Sequence, residues 1–133
     1  MNCLLDTSVL LWTLMQTEKL SPVARDMIAD PSVIKHVSAV SLFEMSVKIS
    51  IGKLSLQGLS IEELPGLLYD RGVVTIVLDP FEAAALNSLP FKEKHSDPFD
   101  RILICQAISR NLTMISKDEK LAQYREHGLS LIW

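Results

Sequence analysis

The stretch that decides the fold is Asp97-Pro98-Phe99-Asp100-Arg101-Ile102-Leu103-Ile104-Cys105-Gln106-Ala107, which a short strand-like run over 113–116 follows. Asp97 is a natural N-cap and Pro98 occupies the first helical position, so the stretch predicts the beginning of a helix. Asp100 is then the acid at the third helical position. A helix that leads into a short apolar strand is typical of an α/β fold.

The same arrangement extends outward over the chain. Ser21-Pro22 and Asp79-Pro80 repeat the helix start. Short apolar runs between the helical segments predict five strands, at 4–5, 34–40, 73–78, 113–116 and 129–133. This alternation predicts a mostly parallel five-stranded sheet covered on both faces. With 133 residues, 48% of them apolar and 22% charged, the chain is expected to form a single domain over 1–133 with a substantial core.

Charge and cysteine content narrow the functional class. The net charge of −3 counts weakly against tight, nonspecific binding of RNA or DNA. Cys3 and Cys105 lie in apolar runs, where small buried side chains are the expected explanation, and no disulfide framework is indicated. Asp6 interrupts the first apolar run and no basic segment precedes it, so we expect no signal peptide. No run approaches the length of a membrane span. A reducing cytoplasm is the expected location.

Four acidic residues stand where predicted elements begin or end. Asp6 ends the first apolar run, Glu44 and Asp100 lie near helix starts, and Asp118 follows the fourth strand. Carboxylates at such positions can converge on one crevice of an α/β sheet. Clustered carboxylates repel one another unless a positive charge lies between them, and Mg²⁺ or Mn²⁺ is the usual one. The four acids therefore indicate metal-dependent chemistry.

Each acid also has a structural explanation. Asp6 and Asp118 can be helix caps, which are far commoner than metal ligands. Glu44 can complete a capping box with Ser41, or form a helical ion pair with Lys48 four residues on. Capping does not by itself bring several helix starts together. Convergence requires the first and fourth strands to be neighbours, which right-handed crossovers permit and which the sequence alone leaves open.

Four motifs together resemble the PIN-domain family, and more narrowly the VapC-type toxins of bacterial toxin–antitoxin pairs: Leu5-Asp6-Thr7-Ser8, Ser41-x-x-Glu44, Asp97-Pro98-Phe99-Asp100-Arg101 and Ser116-Lys117-Asp118. The resemblance covers essentially the whole chain. Its most specific part is the Asp-Pro-Phe-Asp-Arg string with the apolar run after it. It implies a three-layer α/β/α fold, a Mg²⁺- or Mn²⁺-dependent endoribonuclease, and a cognate antitoxin that holds the enzyme inactive.

The resemblance also assigns residues. Asp6, Glu44 and Asp100 correspond to the three acids of the family's metal site, and Asp118 to its more variable fourth. Ser116 corresponds to a hydroxyl position often held by threonine.

Other residues near the motifs have secondary assignments. Thr7, Ser8 and Ser116 are candidates to orient waters or acids from outside the ligand set. We assign Asp97 as the cap and Asp100 as the ligand. Arg101 is expected either to contact an RNA phosphate or to pair with Asp97 or Asp100. His95 is expected to be a solvated loop residue more often than a general base.

Residues 42–51 are ambiguous, because their apolar and polar residues alternate as in a strand, but Ser41 before them and Gly52 after them favour a helix. Its apolar residues form two sides, Leu42, Met45 and Ile49 on one and Phe43, Val47, Ile51 and Leu54 on the other. That arc is wider than one core contact needs. Either a second protein covers one side, as a like subunit in a homodimer or as the antitoxin, or nearby segments of the same chain do. A homodimer is our expectation.

Two other functions compete with RNA cleavage. One is a catalytically silent domain that only binds a partner, although all four acid positions are filled. The other is phosphoryl transfer through Asp6, but phosphatases of that kind usually have a second aspartate two residues on, where this chain has Ser8. The sequence leaves open the target RNA and whether one metal or two would be used.

Overall fold

A computed structural model describes residues 1–92 and 94–133. The described strands are β1 Asn2–Leu5, β2 Ile34–Ser38, β3 Val74–Ile76, β4 Thr113–Ile115 and β5 Ser130–Ile132. The α-helices are α1 Thr7–Met15, α2 Pro22–Ala29, α3 Ala39–Ser50, α4 Leu64–Asp70, α5 Pro80–Ala85 and α6 Pro98–Ser109. Short 3₁₀ segments cover Thr17–Lys19, Ile61–Glu63 and Leu86–Ser88, and a longer one covers Glu119–His127.

The five strands form one sheet in the order β3-β2-β1-β4-β5, and every described pair is parallel. The chain builds β1, β2 and β3 toward one edge and then crosses back to add β4 and β5 on the other side of β1. The strand order therefore reverses between β1 and β4, the point at which open α/β sheets form a crevice at the carboxyl ends of their strands.

Two hydrophobic clusters show that both faces of the sheet are covered. Neighbouring residues of β1 divide between the clusters, since Leu4 belongs to one while Cys3 and Leu5 belong to the other. The first cluster contains most of α6 and part of the 3₁₀ segment Glu119–His127, and the second contains residues of α1, α2, α3 and α4. Because side chains alternate across a strand, the clusters lie on opposite faces. The predicted three-layer α/β/α fold is confirmed.

Most predicted helix starts are confirmed. Asp97 caps α6 and accepts from the backbone N–H groups of Phe99 and Asp100 at 2.8 and 3.3 Å. Ser21 caps α2, and Asp79 caps α5 within a full capping box. Residues 101–107 of α6 are buried throughout, which explains its long apolar run.

The predicted boundary at the second strand was wrong. We predicted a strand over 34–40 and a helix beginning after Ser41, but β2 ends at Ser38 and α3 begins at Ala39. The cause is Ser38, whose hydroxyl accepts from the backbone N–H of Val40 at 3.1 Å and so caps the helix three residues earlier. Ser41 therefore lies inside α3, and the capping box with Glu44 is excluded.

Two other features concern buried and apolar residues. Cys3 and Cys105 are both buried free thiols, as predicted. Within the described part of the chain, none of the helices has the length and apolar character needed to cross a membrane.

Candidate metal centre

The predicted acids meet at the carboxyl ends of β1 and β4. These strands are parallel neighbours in which Leu5 is paired with Ile115, and the backbone N–H of Asp6 donates to the carbonyl of Ile115 at 3.2 Å. Asp6 thus follows β1 directly, and Asp118 lies just past β4. Glu44 comes from α3, which follows β2, and Asp100 from the first turn of α6. The adjacency that convergence requires is present.

Asp6 is a buried carboxylate that accepts a hydrogen bond from the first turn of α1. Its Oδ1 accepts from the backbone N–H of Val9 at 2.7 Å, so it caps α1. The pKa of Asp6 is raised to about 6, mainly by burial and also by the charges of Asp118 and Glu44, although hydrogen bonds from Ser116 and the Val9 N–H lower it. Asp6 is therefore both the cap of α1 and a candidate metal ligand.

Asp100 has a larger rise in pKa than Asp6. Its pKa is raised to about 7, mainly by burial and then by the charges of Asp97, Asp6, Glu44 and Asp118, in that order. Each of these acids is therefore close enough to Asp100 to disfavour its ionised form. The repulsion is relieved either by a proton or by a cation.

Glu44 differs from Asp6 and Asp100 because side chains of the protein form a hydrogen bond and an ion pair with it. The hydroxyl of Thr7 donates to its Oε1 at 2.8 Å, and Lys48 Nζ lies 2.6 Å from its Oε2. Ser41 Oγ lies 3.0 Å from the Thr7 hydroxyl oxygen. The predicted ion pair with Lys48 is confirmed. The hydrogen bond to Glu44 is the main reason that the Lys48 pKa is raised, and the charges of Asp97 and Asp100 also raise it.

His95 is the site residue that sequence reasoning undervalued. We expected a solvated loop position, but His95 is only 4% exposed, so that expectation was wrong. Its Nε2 lies 3.7 Å from Asp100 Oδ2. Ligand atoms of His95, Asp100 and Asp118 all lie within 4.8 Å of one another. The only signal in the sequence was its place two residues before the α6 cap, within a polar run that looked exposed.

Arg101 contacts the segment that precedes α6. It is 4% exposed and donates to the carbonyls of Leu89 and Pro90 at 2.8 and 3.1 Å and to the Tyr124 hydroxyl at 3.3 Å. Its guanidinium also stacks on the Phe91 ring, 4.2 Å from the centroid. Arg101 makes these contacts and not the ion pair with Asp97 or Asp100 that we considered. They hold the loop before α6 against the helix.

The remaining predicted residues have various environments. Thr7 and Ser116 are buried, whereas Ser8 and Asp97 are exposed. The Ser116 hydroxyl accepts from the backbone N–H of Asp118 at 3.1 Å, and Asp118 in turn accepts from the Lys120 N–H at 3.0 Å. Asp118 is therefore a cap of the 3₁₀ segment as well as a member of the cluster.

This donor set fits a divalent cation. Carboxylate oxygens are the ligands that Mg²⁺ and Mn²⁺ prefer, and atoms within 4.8 Å of one another can surround one ion. Among the described residues, the compact group holds Asp100 and Asp118, and Asp6 and Glu44 lie outside it. The charges of Asp6 and Glu44 nevertheless act on Asp100. Glu44 is paired with Lys48, but Asp6 has no cationic partner among the described residues, and its negative charge would favour a cation in the crevice.

Comparison with known proteins agrees with this architecture. The family model described as "PIN domain" matches residues 3–127. The chain belongs to the PIN-domain family. A solved structure with a similar fold is VapBC2 from Rickettsia felis bound to a DNA fragment from their promoter, at 14% identity and a TM-score of 0.64. The alignment covers 100% of this PIN domain and 99% of the solved chain. A search of curated proteins finds no match.

One side of α3 in this PIN domain remains open. Leu42, Met45 and Ile49 pack into the core, but Phe43, Val47 and Ile51 are 62%, 37% and 59% exposed. The Phe43 ring contacts that of Phe99 in α6, with centroids 5.9 Å apart. Leu54, which we predicted on the same side, packs against the second cluster, so nearby segments of the chain leave only the other three residues of this side largely uncovered.

Proposed function

We propose that this PIN domain is an endoribonuclease that hydrolyses RNA phosphodiester bonds with a carboxylate-bound Mg²⁺ or Mn²⁺. We further propose that it acts as the toxin of a type II toxin–antitoxin system and that a cognate antitoxin inhibits it. The observation that carries the proposal is that Asp6, Glu44 and Asp118 all lie close enough to the half-buried Asp100 for their charges to add to the rise in its pKa that burial causes. Membership of the PIN-domain family supports it.

The four acids would hold the cation, and the surrounding residues would fix them. When bound, a divalent cation makes water more acidic and relieves negative charge on the phosphate. The Val9 N–H and the Ser116 hydroxyl stabilise the ionised form of Asp6, and the Thr7 hydroxyl orients Glu44. Supporting contacts of this kind set the direction of each ligand oxygen.

Cleavage of labelled RNA by the purified protein tests the proposal. We expect cutting with Mg²⁺ or Mn²⁺, none after EDTA, and loss in Asp6→Asn and Asp100→Asn. Glu62→Gln, at an exposed acid far from the motifs in sequence, is the matched control and should cut normally. Metal-dependent cutting that survives both site substitutions would contradict the assignment of the site. If several RNAs remain intact with the wild-type protein, the domain is a binding module instead.

The open side of α3 supports the antitoxin part of the proposal. Contiguous exposed apolar side chains on a folded domain are typical of protein interaction sites. The similar structure from Rickettsia felis is itself a VapBC2 assembly. We therefore propose that the antitoxin covers the side formed by Phe43, Val47 and Ile51.

Two substitutions test the antitoxin surface against a matched control. Phe43→Asp and Val47→Asp should weaken antitoxin binding by about 10-fold or more, because each places a charge in an apolar contact. Both side chains are exposed, so the fold should persist, as circular dichroism would show. Phe81→Asp, at a phenylalanine of α5 that is 85% exposed, should bind normally. Equal affinity in all three variants, or loss of folding, would remove this interface.

The homodimer stays a prediction. The molar mass of the purified toxin in solution, measured by light scattering, tests it.

A further inference from the structure

The imidazole of His95 is held from one side only. Its Nδ1 lies 2.7 Å from the hydroxyl of Tyr124, and the two rings meet edge to face with centroids 5.2 Å apart. Arg101 Nη1 reaches the same hydroxyl oxygen at 3.3 Å. All three side chains are buried. A hydrogen-bonded chain therefore runs from Arg101 through Tyr124 to His95.

The direction of these hydrogen bonds fixes the tautomer of the ring. A guanidinium can only donate, so the Tyr124 oxygen accepts from Arg101. The phenol hydrogen then needs an acceptor, and among the described residues Nδ1 of His95 is the one in reach. If Nδ1 accepts, the neutral imidazole carries its hydrogen on Nε2.

The resulting N–H points into the acid cluster. Within residues 1–92 and 94–133, His95 Nε2 is the buried side-chain polar atom that lacks a hydrogen-bond partner. Asp100 Oδ2 lies 3.7 Å from it, about 0.8 Å beyond a usual charge-assisted hydrogen bond of about 2.9 Å. A buried donor without an acceptor is unfavourable, so a small rotation of either side chain that closes this gap would stabilise the pair.

We propose that His95 is a positioning residue for Asp100. The neutral ring, held at Nδ1 by Tyr124, presents its Nε2–H to the Asp100 carboxylate and fixes which carboxylate oxygen faces a bound cation. This inference rests on the proposed function of Asp100 as a cation ligand. Direct ligation of the cation by Nε2 is the competing arrangement, and it requires the opposite tautomer.

Nitrogen-15 spectra of the histidine rings in metal-free protein test the first half of the inference. We expect a long-range proton–nitrogen spectrum to show His95 with hydrogen on Nε2 and an unprotonated Nδ1. Tyr124→Phe, which removes the phenol hydrogen, should weaken this preference and yield a mixture of tautomers. Hydrogen on Nδ1 in the wild-type protein would overturn the proposal, and this result does not depend on RNA cleavage.

Calorimetric titrations with Mg²⁺ and Mn²⁺ test the second half. A glutamine amide can place a donor near the Nε2 position, whereas an asparagine amide reaches only the Nδ1 position. We expect His95→Gln to bind Mg²⁺ within about threefold of the wild-type protein and His95→Asn about 10-fold more weakly. His95→Asn retains a polar group beside Tyr124, and circular dichroism would confirm that both variants fold.

The pattern of affinities separates the outcomes. Equal loss for Mg²⁺ and Mn²⁺ in His95→Asn supports positioning through Asp100. A much larger loss for Mn²⁺ than for Mg²⁺ would indicate nitrogen ligation and overturn the proposal, since nitrogen ligands favour Mn²⁺. Wild-type affinity in His95→Asn would overturn it alone. Failure of the wild-type protein to bind either cation would overturn it together with the proposed function.

Discussion

Two buried carboxylates of this PIN domain, Glu82 and Asp6, have opposite environments. Glu82 is held by Arg110, whose Nε and Nη2 donate to it at 2.7 and 2.8 Å, and these bonds lower the pKa of Glu82 to about 2. Asp6 has no such partner among the described residues, and burial raises its pKa to about 6. Glu82 is already neutralised by the chain, whereas Asp6 retains a charge that only a proton or a cation can offset.

The contrast separates stability from function. Glu82 joins α5 to α6, since Ser109 and Arg110 of the α6 end both bond to it. The carboxylates of Asp6 and Asp100 repel each other, and this repulsion weakens the fold unless a cation is bound. Unfavourable electrostatics at a crevice is a common property of functional sites. It agrees with the proposal that the cluster binds a cation.

The largest expected effect concerns activity. Asp6→Asn and Asp100→Asn should each reduce RNA cleavage by more than about 100-fold, because loss of outer-shell partners alone costs about 10- to 100-fold at metal sites. The same variants should be at least as stable as the wild-type protein without cation. Cleavage rates and urea unfolding, measured side by side, check both. Loss of activity together with loss of stability would assign these acids to the fold.

The next effect concerns the paired carboxylate. Arg110→Met should reduce the free energy of unfolding by about 2–3 kcal/mol, because it leaves the buried Glu82 charge without a partner. Solvent limits this loss because the Arg110 side chain is 31% exposed. Adding Glu82→Gln to that variant should recover part of the loss, and urea unfolding measures both. A loss below about 0.5 kcal/mol would show that the pairing with Arg110 does not distinguish Glu82 from Asp6.

The pH dependence of stability separates the two regions in one protein. The Glu82 pKa falls from 4.5 to about 2, so its stabilisation is complete above pH 4.5 and is lost as pH falls through about 2. The Asp6 and Asp100 pKa values rise from 3.8 to about 6 and about 7, so their contribution is present below pH 3.8 and is lost as pH rises through 6 to 7. The cation-free protein should therefore be most stable near pH 4–5.

The decline above pH 5 should amount to about 1–3 kcal/mol, reduced from the full linkage value because the Asp100 side chain is 32% exposed. The lowered pKa of His95 acts in the opposite direction below its usual 6.5, so the comparison is with Asp100→Asn, which keeps His95. That variant should show a shallower decline in thermal unfolding with EDTA, and saturating Mg²⁺ at pH 8 should stabilise the wild-type protein. Identical slopes would contradict the shift at Asp100.

The smallest effect concerns Lys48, the one described cation whose raised pKa reflects several site acids. Its side chain is 47% exposed, so Lys48→Met should cost less than about 1 kcal/mol. Removal of this positive charge should raise Mg²⁺ affinity by about two- to fivefold, as calorimetry would show. Lys53→Met, an exposed lysine of the following turn, is the control. A fall in affinity would mean that Lys48 supports the site by orienting Glu44.

The sequence predicted much of the fold because its helix starts are local. Asp97 with Pro98 and Asp79 with Pro80 specify caps through residues one to three positions away, and both are present. The boundary between β2 and α3 was misplaced because Ser38 and Ser41 are equally good caps in isolation. Only the packing of α3 decides that Ser38 is used.

The site was less predictable than the fold. The convergence of Asp6 with Asp118 depends on the pairing of β1 with β4, which residue order leaves open. The burial of His95 depends on Tyr124, 29 residues later in the chain, and a polar local sequence conceals it. Nothing near Arg101 indicated that its guanidinium would bond to backbone carbonyls. Contacts distant in sequence, unlike caps, leave no local pattern.

Calorimetric titration of Mn²⁺ into the wild-type protein, Asp100→Asn and Glu62→Gln at pH 7.5 tests the central claim most directly. We expect saturable binding to the wild-type protein, the same affinity in Glu62→Gln, and an affinity at least about 10-fold lower in Asp100→Asn. Equal binding by all three proteins, or none by the wild-type protein, would contradict the claim that the acids at the β1–β4 crevice form a cation site.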